Sequence, residues 1–455
     1  MAGGKSRIRK AKTLASSALH APPADAAPAE VLPEYTLIFI FRRLTPAELL
    51  RAALACHRWR RAAVRALPLA LPVLGYFFHP AGVPGKPPLS SIDKTFYPAV
   101  FAPLEASSPR LSLALSAGEM NSFKLSDVHL GLVILLPRNL PEAILPRVLV
   151  IDPASRRRAL LPSPPRGALP NDRWRCDRQV FGVSVLSRAH PSRLSFDAVL
   201  FTVDGDRPRA WVASVRDGDC TWRAVPRSED VQVKFDPWWF ENRCVHAAGN
   251  IYWHICNSNR VLKLDSLTLD FSFIPVPAAI MDDRITSYRI GETPEDGRLC
   301  IVVMVDEELQ IWVRGEARQS RQRDRGWLLE TRMCVRKVLD TVPGLPSVGT
   351  KRHISTWFTD MDYARTGKVF VGTWGYGRYS FHMETGKLER LKMKDGKEWG
   401  HPIWGYTLAW PPAGIFPEEE HTQNFKSGVE LPMPALGEGR RGGRPGPPDL
   451  RGPSP

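Results

Sequence analysis

Residues 31–66, VLPEYTLIFIFRRLTPAELLRAALACHRWRRAAVRA, decide how the first part of the chain folds. Four apolar residues in the first half of this stretch follow helical spacing, and they are Leu37, Ile40, Phe41 and Leu44. This spacing predicts one face of an amphipathic helix, which Pro33 can begin. Ile38 and Phe39 lie off that face, so the helix is apolar nearly all round. We therefore expect one of its faces to be kept for a partner.

Two more short helices are predicted behind the first. Thr45 and Glu48 have the spacing of a capping box, which marks the start of a second helix before Leu49 and Leu50. A third, basic helical turn contains Trp59 among arginines. Three helices of this size enclose too little core to be stable alone, because domains below roughly 40 residues usually need outside help. We expect that help to come from another protein.

The same stretch resembles an F-box. The residues that carry the resemblance are Leu32-Pro33, Ile40-Phe41, Leu44, Leu49-Leu50, Ala55-Cys56 and Trp59-Arg60. The resemblance implies a three-helix fold that binds the Skp-type adaptor of a cullin ubiquitin ligase. The positions that it implies for adaptor binding are Pro33, Leu37, Ile40, Leu44, Leu49, Leu50 and Trp59. The alternative is a small helical bundle packed on the rest of the chain.

The chain is strongly basic, and the location of the positive charge bears on which class of partner it suggests. The formal net charge is +15, of which residues 1–71 contribute +8 and residues 438–455 contribute +2. A basic face beside an adaptor site can attract an acidic partner as readily as it can bind phosphates. A nucleic-acid-binding protein therefore stays an open alternative.

The cysteines indicate a reducing compartment. Seven cysteines lie scattered along the chain, an odd number without a disulfide-like spacing. The longest apolar run, residues 130–136, has the length of a strand and is far too short to span a membrane. These features predict a cytoplasmic or nuclear protein.

The two ends of the chain lack the apolar residues of a packed domain. Residues 1–30 are rich in Ala, Pro and basic residues, and residues 430–455 are rich in Gly, Pro and Arg. Such compositions predict disordered tails. The basic start could also be a nuclear-import patch or a transit peptide.

Residues 73–415 have the composition of an all-β domain with a loose internal repeat. Units that combine a strand, an Asp-containing turn and a second strand occur at residues 147–163, 211–226 and 261–277, and more freely at residues 309–330 and 379–391. Each is preceded by an apolar strand, at residues 131–136, 198–203, 250–255, 298–305 and 368–374. A repeat of roughly 50 residues with several strands is typical of a β-propeller.

These units resemble the F-box-associated β-propeller of plant F-box proteins, in particular a large family in grasses. Five units are visible, and a sixth could be closed if Tyr76 to Phe78 pair with the region from Trp404 to Trp410. The predicted fold is therefore multidomain α+β, with a small three-helix F-box at residues 31–66 and a large all-β propeller-like domain at residues 73–415.

One group of residues has ligand types that suit zinc, namely Cys244, His246, His254 and Cys256. If Gly249 and Asn250 form a two-residue hairpin turn, the two Cys/His pairs point to opposite faces of the sheet. We therefore predict no metal and no cofactor. Phosphate-binding and nucleophile motifs are incomplete, so we predict that the chain is not an enzyme.

The resemblance implies a non-catalytic substrate receptor of a Skp-cullin-F-box ubiquitin ligase, with an unidentified protein as target. Target contacts are expected on loops of the propeller, because rigid scaffolds display binding residues there. Aromatic and arginine side chains contribute most at interfaces. The candidates are Trp238, Trp239, Trp374, Tyr376 and Arg378. A propeller scaffold that acts outside a ligase stays open as the alternative.

Overall fold

A computed structural model describes residues 32–408 with gaps. The gaps are residues 45, 67–70, 72, 82–95, 105–109, 114, 139–146, 166–181, 191–193, 205, 227, 229, 234–239, 256–259, 281–287, 295, 306, 316–325, 344, 346–355 and 374. The two predicted tails, the proposed cap residue Thr45 and Cys256 lie outside the described residues. Every described residue belongs to one unit of the chain, Met1–Ile415.

Three short helices open the described chain, as the sequence predicts. They are α1 (Glu34–Phe41), α2 (Pro46–Ala55) and α3 (His57–Arg65). Pro33 is the N-cap of α1, and Cys56 is the N-cap of α3, where its sulfur accepts a hydrogen bond from the Trp59 backbone N–H. The core between the helices is small, because alanine supplies five of its eight buried residues.

The rest of the described chain forms β-sheets with few helices. The first two strands are β1 (Val73–Ala81) and β2 (Val100–Pro103). The first blade is β3 (Phe123–His129), β4 (Leu132–Pro137), β5 (Val148–Asp152) and β6 (Arg157–Leu161). The second blade is β7 (Gly182–His190), β8 (Ser195–Asp204), β9 (Arg207–Arg216) and β10 (Asp219–Ala224). The third blade is β11 (Phe240–Ala247), β12 (Asn250–Ile255), β13 (Arg260–Asp265) and β14 (Phe271–Pro275).

Two further four-stranded blades follow. The fourth is β15 (Tyr288–Glu292), β16 (Leu299–Val305), β17 (Glu308–Arg314) and β18 (Trp327–Cys334). The fifth is β19 (Thr356–Asp362), β20 (Lys368–Thr373), β21 (Gly377–His382) and β22 (Leu388–Arg390). The last strand is β23 (Glu398–Thr407). Short helices lie between strands at α4 (Ala117–Ser122), α5 (Val335–Leu339), α6 (Tyr363–Thr366) and a 3-10 turn (Ala278–Ile280).

The sixth blade joins the two ends of the domain. Its three described strands lie in the order β2-β1-β23, and Phe77 of β1 lies opposite Trp404 of β23. Phe78 lies opposite Ile403 in the same ladder. The predicted closure between Tyr76–Phe78 and the Trp404 region is therefore confirmed, and the domain is a six-bladed propeller.

The sequence repeat corresponds to the second, third and fourth strands of each blade. The hairpin at residues 261–277, for example, is β13–β14, and the apolar run at residues 250–255 is β12. The first strand of each blade was missing from the repeat. These strands are the innermost ones, and each contacts the innermost strand of the next blade until β23 contacts β3.

The propeller core lies between neighbouring blades. Alternate residues of one strand pack against different neighbours, because successive side chains of a strand point to opposite faces. In β8, Ala198 and Leu200 pack against the first blade, whereas Val199 and Phe201 pack against the third. Large side chains that are at most 1% exposed, such as Trp211, Trp253 and Trp327, fill these layers. Within the described ranges, no helix has the length and apolar character to cross a membrane.

Candidate functional site

Helix α1 has one buried and one exposed apolar face. Leu37 and Phe41 are 3% and 2% exposed and form the core of the three helices. Tyr35 and Phe39, on the other side of the helix, are 75% and 55% exposed, and Ile40 is 40% exposed. Large apolar side chains in water are unfavourable, and a group of them usually marks an interaction surface. Helix α1 therefore has an exposed apolar surface of the kind that usually marks an interaction site.

Six of the nine exposed large apolar side chains of the described chain lie in this small helical region. We call them the exposed apolar set, and they are Leu32, Tyr35, Phe39, Ile40, Leu54 and Trp59. The Trp59 ring is held by an edge-to-face contact with Phe41, at 5.4 Å between ring centroids. Trp59 therefore links the exposed apolar set to the buried core of the three helices through its contact with Phe41.

Some of the residues predicted for adaptor binding are buried and others are exposed. Leu37 and Leu49 are buried in the helical core, and Leu44 is partly buried against it. Pro33, Ile40 and Trp59 are exposed. Leu50 lies on α2, and its side chain lies outside the described residues. Adaptor binding by these residues stays a prediction.

The prediction of which α1 residues face the helical core is wrong at one position. Ile38, not Ile40, packs against the helical core together with Leu37 and Phe41. The two isoleucines lie on either side of the same apolar stripe, so helical spacing alone cannot choose between them. Packing against the other helices makes the choice. As a result, the exposed face contains Tyr35 and Phe39, which the helical stripe did not include.

Exposed arginines lie in the same helical region as the exposed apolar set. The exposed ones are Arg42, Arg43, Arg51, Arg61 and Arg65. The Arg43 guanidinium lies 4.1 Å from the centre of the exposed Phe39 ring. Arg65 forms an exposed ion pair with Glu34, at 2.8 Å between Nη1 and Oε1. A partner of this surface should therefore have apolar and acidic groups.

A second cluster of polar side chains lies on the innermost strands of the propeller. The Asp127 carboxylate on β3 is buried, and its Oδ2 accepts hydrogen bonds from Ser184 Oγ at 2.8 Å and from the Val185 N–H at 3.0 Å. His246 Nε2 on β11 lies 3.0 Å from the same oxygen and 2.8 Å from Ser184 Oγ. One carboxylate thus joins three successive blades. Sequence patterns point to His246 only as a possible zinc ligand and to neither Asp127 nor Ser184, because Ser184 and His246 lie 57 and 119 positions after Asp127 and the three share no local motif.

The cluster does not have the geometry of a catalytic triad. In a triad, one imidazole nitrogen contacts the serine and the other contacts the carboxylate. Here both Ser184 and Asp127 contact Nε2 of His246. The arrangement links blades and does not activate the Ser184 hydroxyl as a nucleophile.

His129 completes this cluster at the end of β3. Its ring stacks on that of His246 with 3.5 Å between ring centroids and 2° between the planes. Burial, and then the charge of His246, holds the pKa of His129 well below its usual range. The pKa of Asp127 is also lowered, because the opposing effect of burial is outweighed by His246, His129 and the Val185 N–H. His129 is therefore expected to be neutral at pH 7.

The charged residues Glu292 and Arg365 lie close enough to the two histidines for their charges to act on one another. Glu292 ends β15 and accepts a hydrogen bond from the Ala248 N–H. Arg365 lies in α6 and donates from Nε to Asp362 Oδ1 at 2.7 Å and from Nη1 to the Gly405 carbonyl at 3.4 Å. Burial raises the pKa of Glu292, whereas the Ala248 N–H and Arg365 lower it.

The structure describes two of the five predicted target-binding residues. Trp238, Trp239 and Trp374 lie outside the described residues. Tyr376 lies in the turn between β20 and β21, Arg378 is the second residue of β21, and both are half-buried. The Arg378 Nη1 atom is buried without a hydrogen-bond partner, and burial lowers the pKa of this guanidinium. Target binding by these residues stays a prediction.

The hairpin considered for zinc has a different turn from the one predicted. Ala247 lies opposite Asn250, so Ala248 and Gly249 form the turn and Cys244 lies opposite Trp253. Both turn residues have positive φ, which suits the tight turns of β-hairpins. Within the described part of the chain, no group of three or more His, Cys, Asp or Glu residues is arranged to hold a metal ion.

Comparison with protein families identifies both regions. An F-box-like family model matches residues 29–67, and the model "F-box protein AT5G49610-like, beta-propeller" matches residues 147–413, more than half of the chain. The chain belongs to this family of F-box proteins. Neither family model is of a catalytic family, and the F-box-like family is one whose members generally bind Skp-type adaptors.

Similarity to solved structures is weak in sequence. A chain of a nidogen/laminin complex is 9% identical, with a TM-score of 0.34, over 73% of this chain and 97% of that chain. A protein from Lactobacillus plantarum is 10% identical, with a TM-score of 0.33, over 72% and 82% of the two chains. A DUF4623 family protein from Bacteroides eggerthii is 8% identical, with a TM-score of 0.35, over 63% and 65%. A search of the curated proteins gave no match.

Proposed function

We propose that this F-box protein is the substrate-recognition subunit of a Skp-cullin-F-box ubiquitin ligase. We infer that it comes from a plant, specifically a grass. The F-box would bind the Skp-type adaptor, and through it the cullin, while the propeller holds a protein target. The observation that carries this proposal is the exposed apolar set on α1–α3. The complex would act in the cytoplasm or the nucleus.

The small size of the F-box core supports this proposal. Tyr35 and Phe39 remain in water although the domain has only a small, alanine-rich core to stabilise it. A partner that covers these rings removes apolar area from water, which contributes about 25 cal/mol per Å². Such contacts would stabilise both the complex and the F-box itself, because a ligand that binds only the folded state shifts the folding equilibrium.

The arginines beside the exposed apolar set give the interface its expected charge preference. Arg43 and Arg61 are exposed, and Glu34 and Glu48 are the only acidic residues between positions 31 and 66. An acidic partner surface would therefore associate faster at low salt than at high salt. Complementary charge of this kind mainly increases the association rate.

The propeller would act as a binding scaffold without a chemical step of its own. The Asp127–Ser184–His246 geometry does not activate a nucleophile, and rate acceleration would come from the effective concentration of the bound target near the ligase. Candidate target contacts are the half-buried Tyr376 and Arg378, together with the predicted residues Trp238, Trp239 and Trp374.

The test is capture of a purified Skp-type adaptor by the full chain. We expect the Phe39→Asp variant to lose most of its affinity, because an interface aromatic contributes about 2 kcal/mol or more, or roughly 30-fold in Kd. Leu267→Asp is the matched control, because Leu267 is 92% exposed and lies on the propeller. If the unmodified chain does not bind the adaptor, a propeller scaffold outside a ligase becomes the better interpretation.

A further inference from the structure

Polar groups from four blades meet at one end of the central channel. His129 ends β3, His246 lies one residue before the end of β11, Glu292 ends β15, and Arg365 follows β19. Since these innermost strands repeat the same position in their blades, their carboxyl ends lie on the same side of the ring. The Ala248 N–H, two residues after His246, donates to Glu292, and the charges of Arg365 and His246 both lower the pKa of Glu292.

Hydrogen-bond acceptors at this channel end are incompletely used. His246 directs Nε2 towards Asp127 Oδ2, so in the neutral ring the proton is on Nε2 and Nδ1 is an acceptor. The neutral His129 ring offers another acceptor nitrogen, and Glu292 uses one carboxylate oxygen for the Ala248 N–H. Arg365 is the opposing donor, and two of its nitrogens already contact Asp362 and Gly405. Within the described chain, no hydrogen bond reaches Nδ1 of His246, the His129 ring or the second carboxylate oxygen of Glu292.

This channel end is rich in carboxylates, although the chain as a whole is basic. Among the described residues, the carboxylates of Asp127, Glu292 and Asp362 lie in this region with the guanidinium of Arg365. A second guanidinium, that of Arg188, donates to the Leu130 carbonyl just after the end of β3 and is paired with a fourth carboxylate, that of Asp152. The chain as a whole has a net charge of +15. The Oδ1 atom of the buried Asp127 carboxylate accepts no hydrogen bond within the described chain, so its negative charge is not fully compensated. A positively charged ligand fits this environment better than an anion.

We propose that this end of the propeller channel binds an ammonium or guanidinium group, with Glu292 as its charge partner and ring nitrogens of His129 and His246 as acceptors. Charge-assisted hydrogen bonds of this type are about twice as strong as neutral ones. The group could belong to a free amine or to a lysine or arginine side chain of a protein. The site goes beyond the proposed receptor function, since it names the chemical group that the channel end would recognise.

The first experiment is calorimetric titration of the full chain with butylammonium chloride, with neutral butanol as the matched probe. We expect saturable binding of the amine only. Glu292→Gln should weaken that binding about tenfold or more, because it removes the charge and keeps an oxygen for the Ala248 N–H. Glu384→Gln is the control, because Glu384 is exposed in the turn after β21.

A second variant separates binding from folding. His129→Phe keeps a ring that can stack on His246 and removes an acceptor nitrogen. We expect it to weaken butylammonium binding and to leave the melting temperature of the propeller close to that of the unmodified chain. Equal binding by the unmodified chain, Glu292→Gln and His129→Phe would overturn the proposal, as would absence of amine binding.

Two peptides distinguish the possible sources of the cation. A short peptide with one central lysine should bind more tightly than butylammonium if a protein side chain is the natural ligand, and its norleucine analogue should not bind. If the two peptides bind equally, no cation is recognised and the proposal is wrong. Adaptor capture by Glu292→Gln should be unchanged, so failure of this site and failure of the receptor function give different results.

Discussion

The two folded regions of this chain differ in how completely they bury their large apolar side chains. The propeller buries both faces of its strands between neighbouring blades, and its tryptophans Trp211, Trp253 and Trp327 are almost inaccessible. The F-box is much smaller, and it leaves large side chains such as Tyr35 and Phe39 in water. The propeller closes on itself through the β1–β23 ladder, whereas the F-box has no such closure. The propeller thus buries its large apolar side chains within its own fold, whereas the F-box leaves several of them exposed.

The largest expected effect comes from the F-box core. Phe41→Ala should cost about 3–5 kcal/mol, more than a three-helix domain with an alanine-rich core can lose, so the F-box should unfold while the propeller stays folded. Helical circular dichroism and the melting temperature of the propeller measure the two regions separately. Phe39→Ala, an exposed neighbour, is the control and should leave both signals unchanged. A single cooperative loss of both regions in Phe41→Ala would show that they are not independent.

The next effect is expected at the blade junction around Asp127. Asp127→Asn replaces the charged carboxylate, which Ser184, Val185 and His246 contact, by a neutral amide. Because hydrogen bonds to charged groups contribute more than neutral ones, we expect a loss of about 2–3 kcal/mol in the stability of the propeller. Urea unfolding followed by tryptophan fluorescence measures it. Asp270→Asn, at an exposed turn, should have an effect near zero. Similar losses in both variants would contradict the role given to Asp127.

A smaller effect concerns pH and the junction of the sixth and first blades. His79 Nε2 accepts the Leu125 N–H at 2.9 Å, so Nδ1 carries the proton and donates to the Tyr97 carbonyl at 3.0 Å. Burial lowers the pKa of His79. The folded chain then binds fewer protons than the unfolded chain, so this contribution is present above pH ~6.5 and is lost as the pH falls through the lower folded pKa.

His79→Gln tests this pH dependence. A glutamine amide can accept from Leu125 and donate to Tyr97 without titrating. We expect the melting temperature of the variant to fall less between pH 7 and pH 5 than that of the unmodified chain. His129, whose pKa is also lowered, should still contribute a decrease of the same sign. Parallel melting curves for the two proteins across this range would show that His79 does not contribute.

The smallest effect is expected at the exposed ion pair of the F-box. Arg65→Ala removes the contact with Glu34 and should change F-box stability by less than about 1 kcal/mol, because exposed pairs are screened by water and salt. Chemical denaturation at low and high salt measures it. A larger, salt-independent loss would indicate that Arg65 stabilises the F-box by packing.

Much of the fold follows from local sequence patterns. Turn residues and apolar runs locate the three outer strands of each blade, and the aromatic residues Tyr76 to Phe78 predict the closure with Trp404. The innermost strands of the first five blades lie outside the sequence repeat, and the polar residues that they carry, such as Asp127 on β3, face other blades. No pattern within one strand predicts contacts between residues more than 100 positions apart.

The functional surfaces were predictable only in part. The apolar character of α1 indicates a second face for a partner, but the choice between Ile38 and Ile40 depends on packing against α2 and α3. The turn of the β11–β12 hairpin at Ala248 and Gly249 also differs from the predicted one. Positive φ at Ala248 is uncommon for a residue with a side chain, so the sequence favoured the asparagine that follows.

Hydrogen exchange of the full chain, measured with and without a purified Skp-type adaptor, tests the difference between the two regions most directly. The account predicts that amides of α1–α3 exchange fast in the free chain and become protected in the complex, while the blade strands exchange slowly and equally in both. Unchanged exchange in α1–α3 on adding the adaptor, or new protection confined to the propeller, would contradict it.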